Sequence, residues 1–333
     1  MTPGTGLAPC HHGEILQGVF ADGRKEPCRG LVTLPLAAPL TRAVFVPLPG
    51  TPARRIAVAP SGRAKAARAA ALAAAECARR SGLPACGGRL RLSGGVPVGL
   101  GMGSSTSDVI AAVRAVAAAF AVELSPEEVA RIAVRAETAA DPTMLDARPV
   151  LFAQREGRVL EDLGPALPPG VVVGCLTGGG RPVDTLTLPP DPYGAADLAA
   201  YEHLRALLRR AVADADPLLL GRVSTESARR NQRIAPKPEL DLLERAARHS
   251  GGTGVQVAHS GNVAGVLFDA AAPDLTERVR ECVCFLRDSD VPVTRIFRFP
   301  SGVTEREHGR PHLRSDRPTG PGEPRRRTRL PAV

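Results

Sequence analysis

Pro97-Val-Gly-Leu-Gly-Met-Gly-Ser-Ser-Thr-Ser-Asp108 is the stretch that decides the fold of this 333-residue chain. Three glycines at alternate positions lead directly into two serines: Gly99, Gly101, Gly103, Ser104 and Ser105. A short apolar strand candidate over 89–92 precedes the stretch, and an Ala-rich helix over 105–121 follows it. Glycines let the backbone approach an anion closely, and the unpaired N–H groups of a first helical turn point at it. The stretch therefore predicts a phosphate-binding loop.

Two familiar phosphate loops are excluded by spacing. A Walker A loop needs a Gly-Lys-Ser/Thr run, and the stretch has no lysine. A dinucleotide fingerprint needs glycines at its first, third and sixth positions, and the sixth position counted from Gly99 is Ser104. The paired hydroxyls suit phosphate or Mg²⁺. A glycine-rich turn that caps a helix and binds nothing remains the open alternative.

The loop resembles the nucleotide loop of the GHMP kinases, Pro-x-x-x-Gly-Leu-Gly-Ser-Ser-Ala. Two further segments resemble the other signatures of that family. Residues 8–18 contain Gly13-Glu14 and Gln17-Gly18, similar to the first motif, which forms part of the substrate side of the cleft. Residues 254–268 resemble the third motif, a strand, a Ser-Gly turn and a strand. The resemblance implies an α+β GHMP kinase fold, with the turn of the third motif bordering the nucleotide loop.

Within that family the chain most resembles the L-threonine kinases of cobalamin side-chain synthesis. Five blocks occur in the same order over residues 8–300: Gly13-Glu14 with Gln17-Gly18, Gly101-Met102 with 104–108, Val183-Asp184-Thr185, Asn231-Gln232 before Lys237-Pro238, and 258–261. The pattern departs at His11-His12, where small residues and a second cysteine are expected, and around 139–141. Both departures face the substrate in such kinases, so the acceptor is the least determined part of the resemblance.

The resemblance implies a site for ATP and Mg²⁺. The residues expected to bind the nucleotide are Pro97, Gly99, Leu100, Gly101, Met102, Gly103, Ser104, Ser105 and Thr106. Ser105 and Glu137 are expected to hold Mg²⁺, and Asp141 and Glu14 to be catalytic. The residues expected to contact the acceptor are Gly13, Gln17, His259, Ser260 and Gly261.

Three carboxylates compete for the metal and proton roles: Glu137, Asp141 and Asp146. In related kinases a Glu on this helix binds Mg²⁺ and an Asp downstream contacts the hydroxyl. Asp141 stands three residues before Met144, as in the threonine kinases, which favours it as the base. A solvated charge at a helix end is the plain alternative for each of them.

The histidines suggest little metal chemistry. Adjacent residues of a strand point to opposite faces, so His11 and His12 are not expected to chelate one ion. His259 precedes a serine, yet the Gly-x-Ser-x-Gly elbow of serine hydrolases is missing. His259 is therefore expected to be structural or to contact the substrate.

Composition agrees with a cytoplasmic enzyme. The chain is 44% hydrophobic but only 3% aromatic, without tryptophan, so its core must consist of Ala, Val and Leu. No apolar run reaches the ~18–20 residues that span a bilayer, and the start lacks the features of a signal peptide. Seven scattered cysteines, an odd number, favour reduced thiols.

Charge is concentrated at the C-terminal end. Residues 304–333 hold eight arginines and four acids, which accounts for +4 of the net charge of +9. This segment is rich in Pro, Gly and Arg without hydrophobic period, which predicts a disordered basic tail over 303–333. The run 325–327 suits acidic surfaces, but a solvated tail is favoured, and nucleic acid is not an expected partner because base-stacking aromatics and known motifs are absent.

Periodicity and punctuation predict the remaining elements. Strands are expected over 31–36, 43–48, 89–92, 150–152, 171–176, 254–258, 263–268 and 291–299. Helices are expected over 63–81, 105–121, 125–139, 195–213, 217–232, 238–249 and 273–287. By resemblance, residues 1–190 form a ribosomal-S5-type ATP-binding domain and 191–302 a ferredoxin-like domain. The capping box Ser125-Pro-Glu-Glu128 marks one helix start.

The expected function is an ATP-dependent kinase that converts the hydroxyl of L-threonine to O-phospho-L-threonine. Two alternatives stay open: a kinase of another hydroxy amino acid or small alcohol, and a non-catalytic GHMP-fold ligand sensor. The sequence leaves the oligomeric state undetermined.

Overall fold

The computed structural model describes residues 1–23, 27–145, 148–180, 193–259 and 261–300. Within these residues the chain forms ten strands and seven α-helices. The strands are β1 (Gly4–Phe20), β2 (Cys28–Leu48), β3 (Ile56–Ala59), β4 (Gly87–Gly94), β5 (Val150–Ala153), β6 (Arg158–Asp162), β7 (Gly170–Leu176), β8 (Gly254–Val257), β9 (Val263–Asp269) and β10 (Val293–Phe299). The helices are α1 (Ala64–Ser81), α2 (Ser104–Ala119), α3 (Pro126–Glu137), α4 (Ala195–Ala213), α5 (Pro217–Asn231), α6 (Leu240–His249) and α7 (Leu275–Asp288).

The strands form a sheet whose two halves meet at a narrow join. The strand order is β10-β7-β9-β8-β1-β2-β4-β3, with β5 and β6 branching from β2. Neighbours are antiparallel except β3 and β4, which run parallel. Between β1 and β8 the register contains one residue pair, Glu14 opposite Val257. The join therefore places a carboxylate of the first signature beside the start of the third.

Small residues let helix α2 lie directly on the sheet. A Cβ atom on Gly4 would come within 2.2 Å of the Ala115 carbonyl oxygen, and one on Gly6 within 2.2 Å of the Ala111 carbonyl oxygen. Helices α1, α2 and α3 share a buried alanine-rich core with this half of the sheet. The expectation of a core built from Ala, Val and Leu is confirmed there.

The other half of the sheet is covered by the remaining helices. Buried side chains of α6 and α7 pack against β7, β8 and β9. Helices α4 and α5 share a second cluster with β1, in which Tyr201 is fully buried. Strand β7 precedes residue 190, yet it pairs with β9 and β10 beyond it. The predicted boundary at 190 lies in 181–192, outside the described residues, and stays a prediction.

Most predicted elements are found, with differences at their ends. The predicted helix over 105–121 begins at Ser104 and ends at Ala119, because Ala121 adopts a φ of 53°. The runs 31–36 and 43–48, predicted as two strands, belong to one strand, β2. Strand β6 was not predicted, since its half-buried residues are mixed with charge. The capping box is confirmed: Ser125 and Glu128 each accept a hydrogen bond from the other's backbone N–H.

Candidate active site

The glycine loop between β4 and α2 has the backbone conformation that only glycine adopts easily. The φ angles of Gly99, Gly101 and Gly103 are 77°, 84° and 67°, all in the left-handed region. Gly103 is the N-cap residue of α2, and no side chain caps this end of the helix. The first-turn N–H groups of α2 therefore remain available to an anion.

The glycine loop packs directly against the turn between β8 and β9. The Leu100 carbonyl oxygen accepts hydrogen bonds from the N–H groups of Asn262 and Val263, at 2.9 and 2.8 Å. A Cβ on Gly261 would lie 2.2 Å from the Gly101 Cα, so both positions require glycine. The second and third signatures are thus in backbone contact, as the resemblance implies.

Glu137 lies at the end of α3, below the start of α2. Ser105 Oγ donates a hydrogen bond to Glu137 Oε2 at 2.7 Å, and Thr106 Oγ1 donates one to Oε1 at 2.8 Å. Lys65 Nζ, at the start of α1, is 4.0 Å from Oε2. Burial raises the pKa of Glu137 to about 7, although both hydroxyls and Lys65 oppose that rise. A cation placed here would favour the ionised carboxylate.

The donor set at Glu137 fits Mg²⁺. The ion prefers hard oxygen ligands and takes few of them from protein. Ser105 and Glu137 supply a hydroxyl and a carboxylate that already touch, next to the uncapped helix end. These are the two residues that the sequence predicts as metal ligands.

Asp141 forms an ion pair with His11 on the other side of the loop. Asp141 Oδ2 is 3.0 Å from His11 Nε2, and His11 Nδ1 is 3.2 Å from the Gly13 carbonyl oxygen. Both ring nitrogens lie near acceptor oxygens, which favours the doubly protonated ring. Burial opposes the charge on His11, but Asp141 and then Glu14 raise the pKa of His11 to about 9. Burial also opposes the charge on Asp141, yet His11 holds the pKa of Asp141 below its usual value.

Thr106 connects Glu137 with Asp141, and Gly103 packs against the His11–Asp141 pair. A Cβ on Gly103 would lie 2.5 Å from His11 Nε2 and 3.0 Å from Asp141 Oδ2. Thr106 Oγ1, which donates to Glu137, also accepts a hydrogen bond from the Asp141 N–H at 3.4 Å. The Asp141 carboxylate is 22% exposed and is therefore accessible to a ligand.

Glu14, His259 and Ser227 form a buried chain of hydrogen bonds at the join of the sheet. Glu14 Oε2 accepts from the His259 N–H at 2.8 Å and lies 3.2 Å from its Nδ1. His259 Nε2 is 3.1 Å from Ser227 Oγ, which also accepts from the Gln17 N–H. The order Ser-His-Glu resembles a hydrolase triad, but Ser227 is fully buried and cannot reach a substrate. The chain therefore fixes the position of Glu14.

The two neighbouring histidines contact different partners, as their places on a strand predict. His12 Nδ1 is 3.0 Å from Gln256 Oε1, and its ring packs on Phe297 at 5.0 Å. Burial lowers the pKa of His12 to about 4, so this ring is neutral. Apart from His12, the three residues His11, Glu14 and Asp141 offer ligand atoms within 4.8 Å of one another. In this structure the His11–Asp141 ion pair uses those atoms.

The other predicted residues lie in the glycine loop or in β1. Pro97 is half-buried in the loop. Met102 packs its side chain into a small apolar cluster, and its carbonyl oxygen accepts from the His11 N–H at 3.3 Å. Gly13 has a φ of 66°, and a Cβ there would overlap the Gln256 side-chain amide. Gln17 contributes its backbone N–H to the buried chain.

Several predicted positions fall outside the described residues: Ser260, Asp146 and the block Val183-Asp184-Thr185. Sequence reasoning missed two site residues, His11 as an ion-pair partner and Lys65 beside Glu137. The doubled histidine before Gly13 was the available signal for the first. The second carries no signal beyond its place at the start of an Ala-rich helix.

Parts of this chain match a family model and known proteins. Residues 65–153 match the model of the GHMP kinases N terminal domain. L-threonine kinases from Salmonella typhimurium and Citrobacter freundii are both 28% identical to this chain, over 187 and 189 residues. Those matches cover 56% of this chain, but only 62% and 64% of the relatives' own lengths.

Solved structures show the same fold. Homoserine kinase from Cytophaga hutchinsonii superposes with a TM-score of 0.63 over 90% of this chain and 94% of that one, at 13% sequence identity. Among the described residues, no helix has the length and apolarity to cross a membrane.

Proposed function

We propose that this chain, which contains a GHMP kinase N-terminal domain and has the fold of the GHMP kinases, phosphorylates the hydroxyl of a small hydroxy amino acid with ATP. L-threonine is the first candidate, and the products are then O-phospho-L-threonine and ADP. The observation that carries the proposal is the pair of carboxylates beside the glycine loop, the buried Glu137 and the partly exposed Asp141. One suits a metal ion and the other an acceptor hydroxyl.

On the nucleotide side, the first-turn N–H groups of α2 bind the phosphates of ATP. Ser105 and Glu137 would hold Mg²⁺, which supplies charge neutralisation to the transferred phosphoryl group. Lys65, half-exposed beside Glu137, adds a positive charge at the same end. Phosphoryl transfer depends mainly on such positioning and electrostatics.

On the acceptor side, Asp141 receives the hydroxyl. The hydroxyl oxygen forms a bond to the γ-phosphorus as the bond to the ADP oxygen breaks, and the hydroxyl proton passes to Asp141. His11 keeps Asp141 ionised and holds the Asp141 Oδ2 atom 3.0 Å from His11 Nε2. A carboxylate of lowered pKa is a weak base, so proton transfer is expected late, after the new bond has begun to form.

A second candidate acceptor class is another hydroxy amino acid or a small alcohol. His11 and His12 stand where the threonine-kinase pattern has small residues and a cysteine, and His11 contacts the proposed base directly. A ring at this position changes the shape of the acceptor side. This observation favours a panel of acceptors over a test with L-threonine alone.

The test is acceptor-stimulated ADP release with Mg²⁺ and ATP. The panel contains L-threonine, L-serine, L-homoserine and simple alcohols, and phosphorylated products are identified by mass spectrometry. Asp141→Asn is the control that should bind ATP without turnover. A folded sample that binds ATP but gives no stimulation with any acceptor would contradict the proposal and favour a ligand sensor.

A further inference from the structure

Lys237 is a buried cation that the proposed mechanism does not use. Its residue surface is only 6% exposed. Lysine is rarely buried without a partner, since removing an ammonium from water is costly. Among the residues that the structure describes, its ammonium forms neither a hydrogen bond nor a close ion pair. A buried charge in this state is suited to an anionic ligand.

The backbone at Lys237 is held by a side chain of the same sequence block. Gln232 Oε1 accepts a hydrogen bond from the Lys237 N–H at 2.7 Å, and Gln232 Nε2 donates to the Ala228 carbonyl oxygen at 3.0 Å. The Lys237 carbonyl oxygen accepts from the Leu240 N–H, at the start of α6. Hydrogen bonds at both its N–H and its carbonyl oxygen therefore fix the backbone position of Lys237.

The neighbouring Asn231 connects Lys237 to the acceptor side. Asn231 Nδ2 donates to the His259 carbonyl oxygen at 3.4 Å, and His259 in turn holds Glu14. The Asn231-Gln232 pair thus fixes both the lysine and the Glu14 network. This gives a physical reason for a block that sequence reasoning recognised without assigning it a role.

Two carboxylates act on Lys237, and each has one oxygen engaged elsewhere, while Glu239 Oε2 is buried without a hydrogen-bond partner among the described residues. Burial lowers the pKa of Lys237, and Glu14 and Glu239 oppose that effect. Glu14 Oε2 is taken by His259, and Glu239 Oε1 accepts from the Gly178 N–H at 2.9 Å. Neither has moved into contact with the ammonium. The ammonium therefore has no direct hydrogen-bond or ion-pair partner among the described residues and is left to a ligand group that can reach it.

We propose that Lys237 binds the α-carboxylate of the acceptor and restricts the kinase to hydroxy acids whose carboxylate is free. This rests on the proposed function and names its substrate class. Lys65 lies 4.0 Å from Glu137, the proposed metal ligand, whereas Lys237 acts with Glu14. A bound amino acid would then be oriented from its carboxylate, with its hydroxyl toward Asp141.

The experiment compares L-threonine with L-threonine methyl ester and L-threoninol. The wild-type kcat/KM should favour the free acid by roughly 10²-fold, since a buried charge without its partner is costly. Lys237→Met should lower kcat/KM for L-threonine by roughly 10²-fold through KM, and change it for the ester by less than about threefold. Equal losses on acid and ester would show a structural role and overturn the proposal.

Lys65→Met is the matched control. It should raise the KM for ATP and leave the ratio between acid and ester as in wild type. A changed ratio in this variant would mean that carboxylate recognition is not specific to Lys237, which contradicts the proposal.

A binding measurement on the wild-type protein covers the case in which Lys237→Met does not fold. L-2-aminobutyrate and its amide lack the hydroxyl, and calorimetry compares their affinities without turnover. Preference for the free acid by at least tenfold is expected, and equal affinities would overturn the proposal. Absence of turnover with every acceptor would instead contradict the proposed function, while the binding ratio would still test recognition of the carboxylate.

Discussion

Glu137 and Asp141 belong to one short segment at the end of α3, yet they have opposite ionisation preferences. Burial raises the pKa of Glu137 to about 7, because its partners are mainly the neutral hydroxyls of Ser105 and Thr106. Burial acts on Asp141 in the same direction, but the His11 imidazolium outweighs it and lowers the pKa of Asp141. The partner decides the charge, where burial alone would have protonated both carboxylates.

The difference separates two roles within a few ångströms. A carboxylate with a pKa of about 7 becomes fully ionised when a cation binds beside it, which suits a metal ligand. A carboxylate already ionised by a fixed imidazolium is ready for a hydroxyl. Pairs of groups whose surroundings push their pKa values apart often mark the acid, base and ligand assignments of an active site.

Gly103→Ala should have the largest effect, because Gly103 is both the N-cap of α2 and a close neighbour of His11 and Asp141. The new Cβ would overlap His11 and press on Asp141 Oδ2, and it would narrow the approach of phosphate to the helix end. We expect kcat/KM to fall by roughly 10⁴-fold, as misplacement affects both the base and the phosphate contacts. Steady-state kinetics and a nucleotide-binding assay measure it.

Gly82→Ala is the matched control for backbone strain. Gly82 caps α1 with a φ of 70°, close to the 67° of Gly103, but a Cβ there meets nothing within 4 Å. This variant should lose some stability and keep its turnover. Similar activity losses in both variants would mean that strain, and not contact with His11 and Asp141, explains the effect.

Asp141→Asn removes the carboxylate that is proposed as the base. The amide keeps the size of the side chain but cannot take the proton, so kcat should fall by roughly 10³-fold while the KM for ATP stays near its wild-type value. The parallel variant Asp146→Asn tests the competing carboxylate, which lies outside the described residues. Normal turnover in Asp141→Asn together with loss of turnover in Asp146→Asn would assign the base to Asp146. Normal turnover in both variants would show that the reaction needs no carboxylate base.

Ser105→Ala weakens the proposed metal site at Glu137. It deletes one of the two hydroxyls on Glu137 and a proposed Mg²⁺ ligand, so kcat should fall by roughly 10²-fold and the Mg²⁺ concentration required for half activity should rise. Ser107→Ala is the control in the same helix: Ser107 is fully buried and donates to the Ala8 carbonyl oxygen, so it should cost about 1 kcal/mol of stability and leave turnover unchanged. Unchanged Mg²⁺ dependence in Ser105→Ala would remove this residue from the metal site.

Local signals in the sequence were sufficient for the loop and most helices. Alternate glycines before paired serines correctly indicated a loop that leads into a helix start, because both depend on neighbouring residues only. The long strand β2 was harder: Pro35 and Pro39 divide it into two apolar runs, although register shifts in β1 opposite this region accommodate them.

Contacts between distant segments were the part that the sequence could not provide. His11 meets Asp141, and Glu14 meets His259, through the topology of the sheet rather than through spacing. The doubled histidine was treated as a departure from a pattern, whereas the structure makes His11 the partner of the predicted base. Lys237 was recognised as part of a block, but its burial depends on α5 and α6 packing around it.

The last prediction concerns stability against pH and not turnover, and His11 and His12 supply the test. The pKa of His11 is raised from 6.5 to about 9, so its stabilising contribution is complete below about pH 6.5 and is lost as pH rises through 9. Asp141, with its lowered pKa, contributes above its ordinary value of 3.8 and loses that contribution as pH falls. The ion pair should therefore stabilise the protein between those limits, by on the order of 3 kcal/mol at pH 7 relative to pH 10.

Denaturant unfolding across pH 6–10 should show this slope in wild type and not in His11→Gln, while His12→Gln, which removes a neutral ring with a pKa of about 4, should keep it. Histidine NMR titration gives the same answer at one residue, since the pKa of His11 should fall in Asp141→Asn. An alkaline slope that survives in His11→Gln would mean that another group titrates near pH 9, and the contrast between Glu137 and Asp141 would then need a different cause.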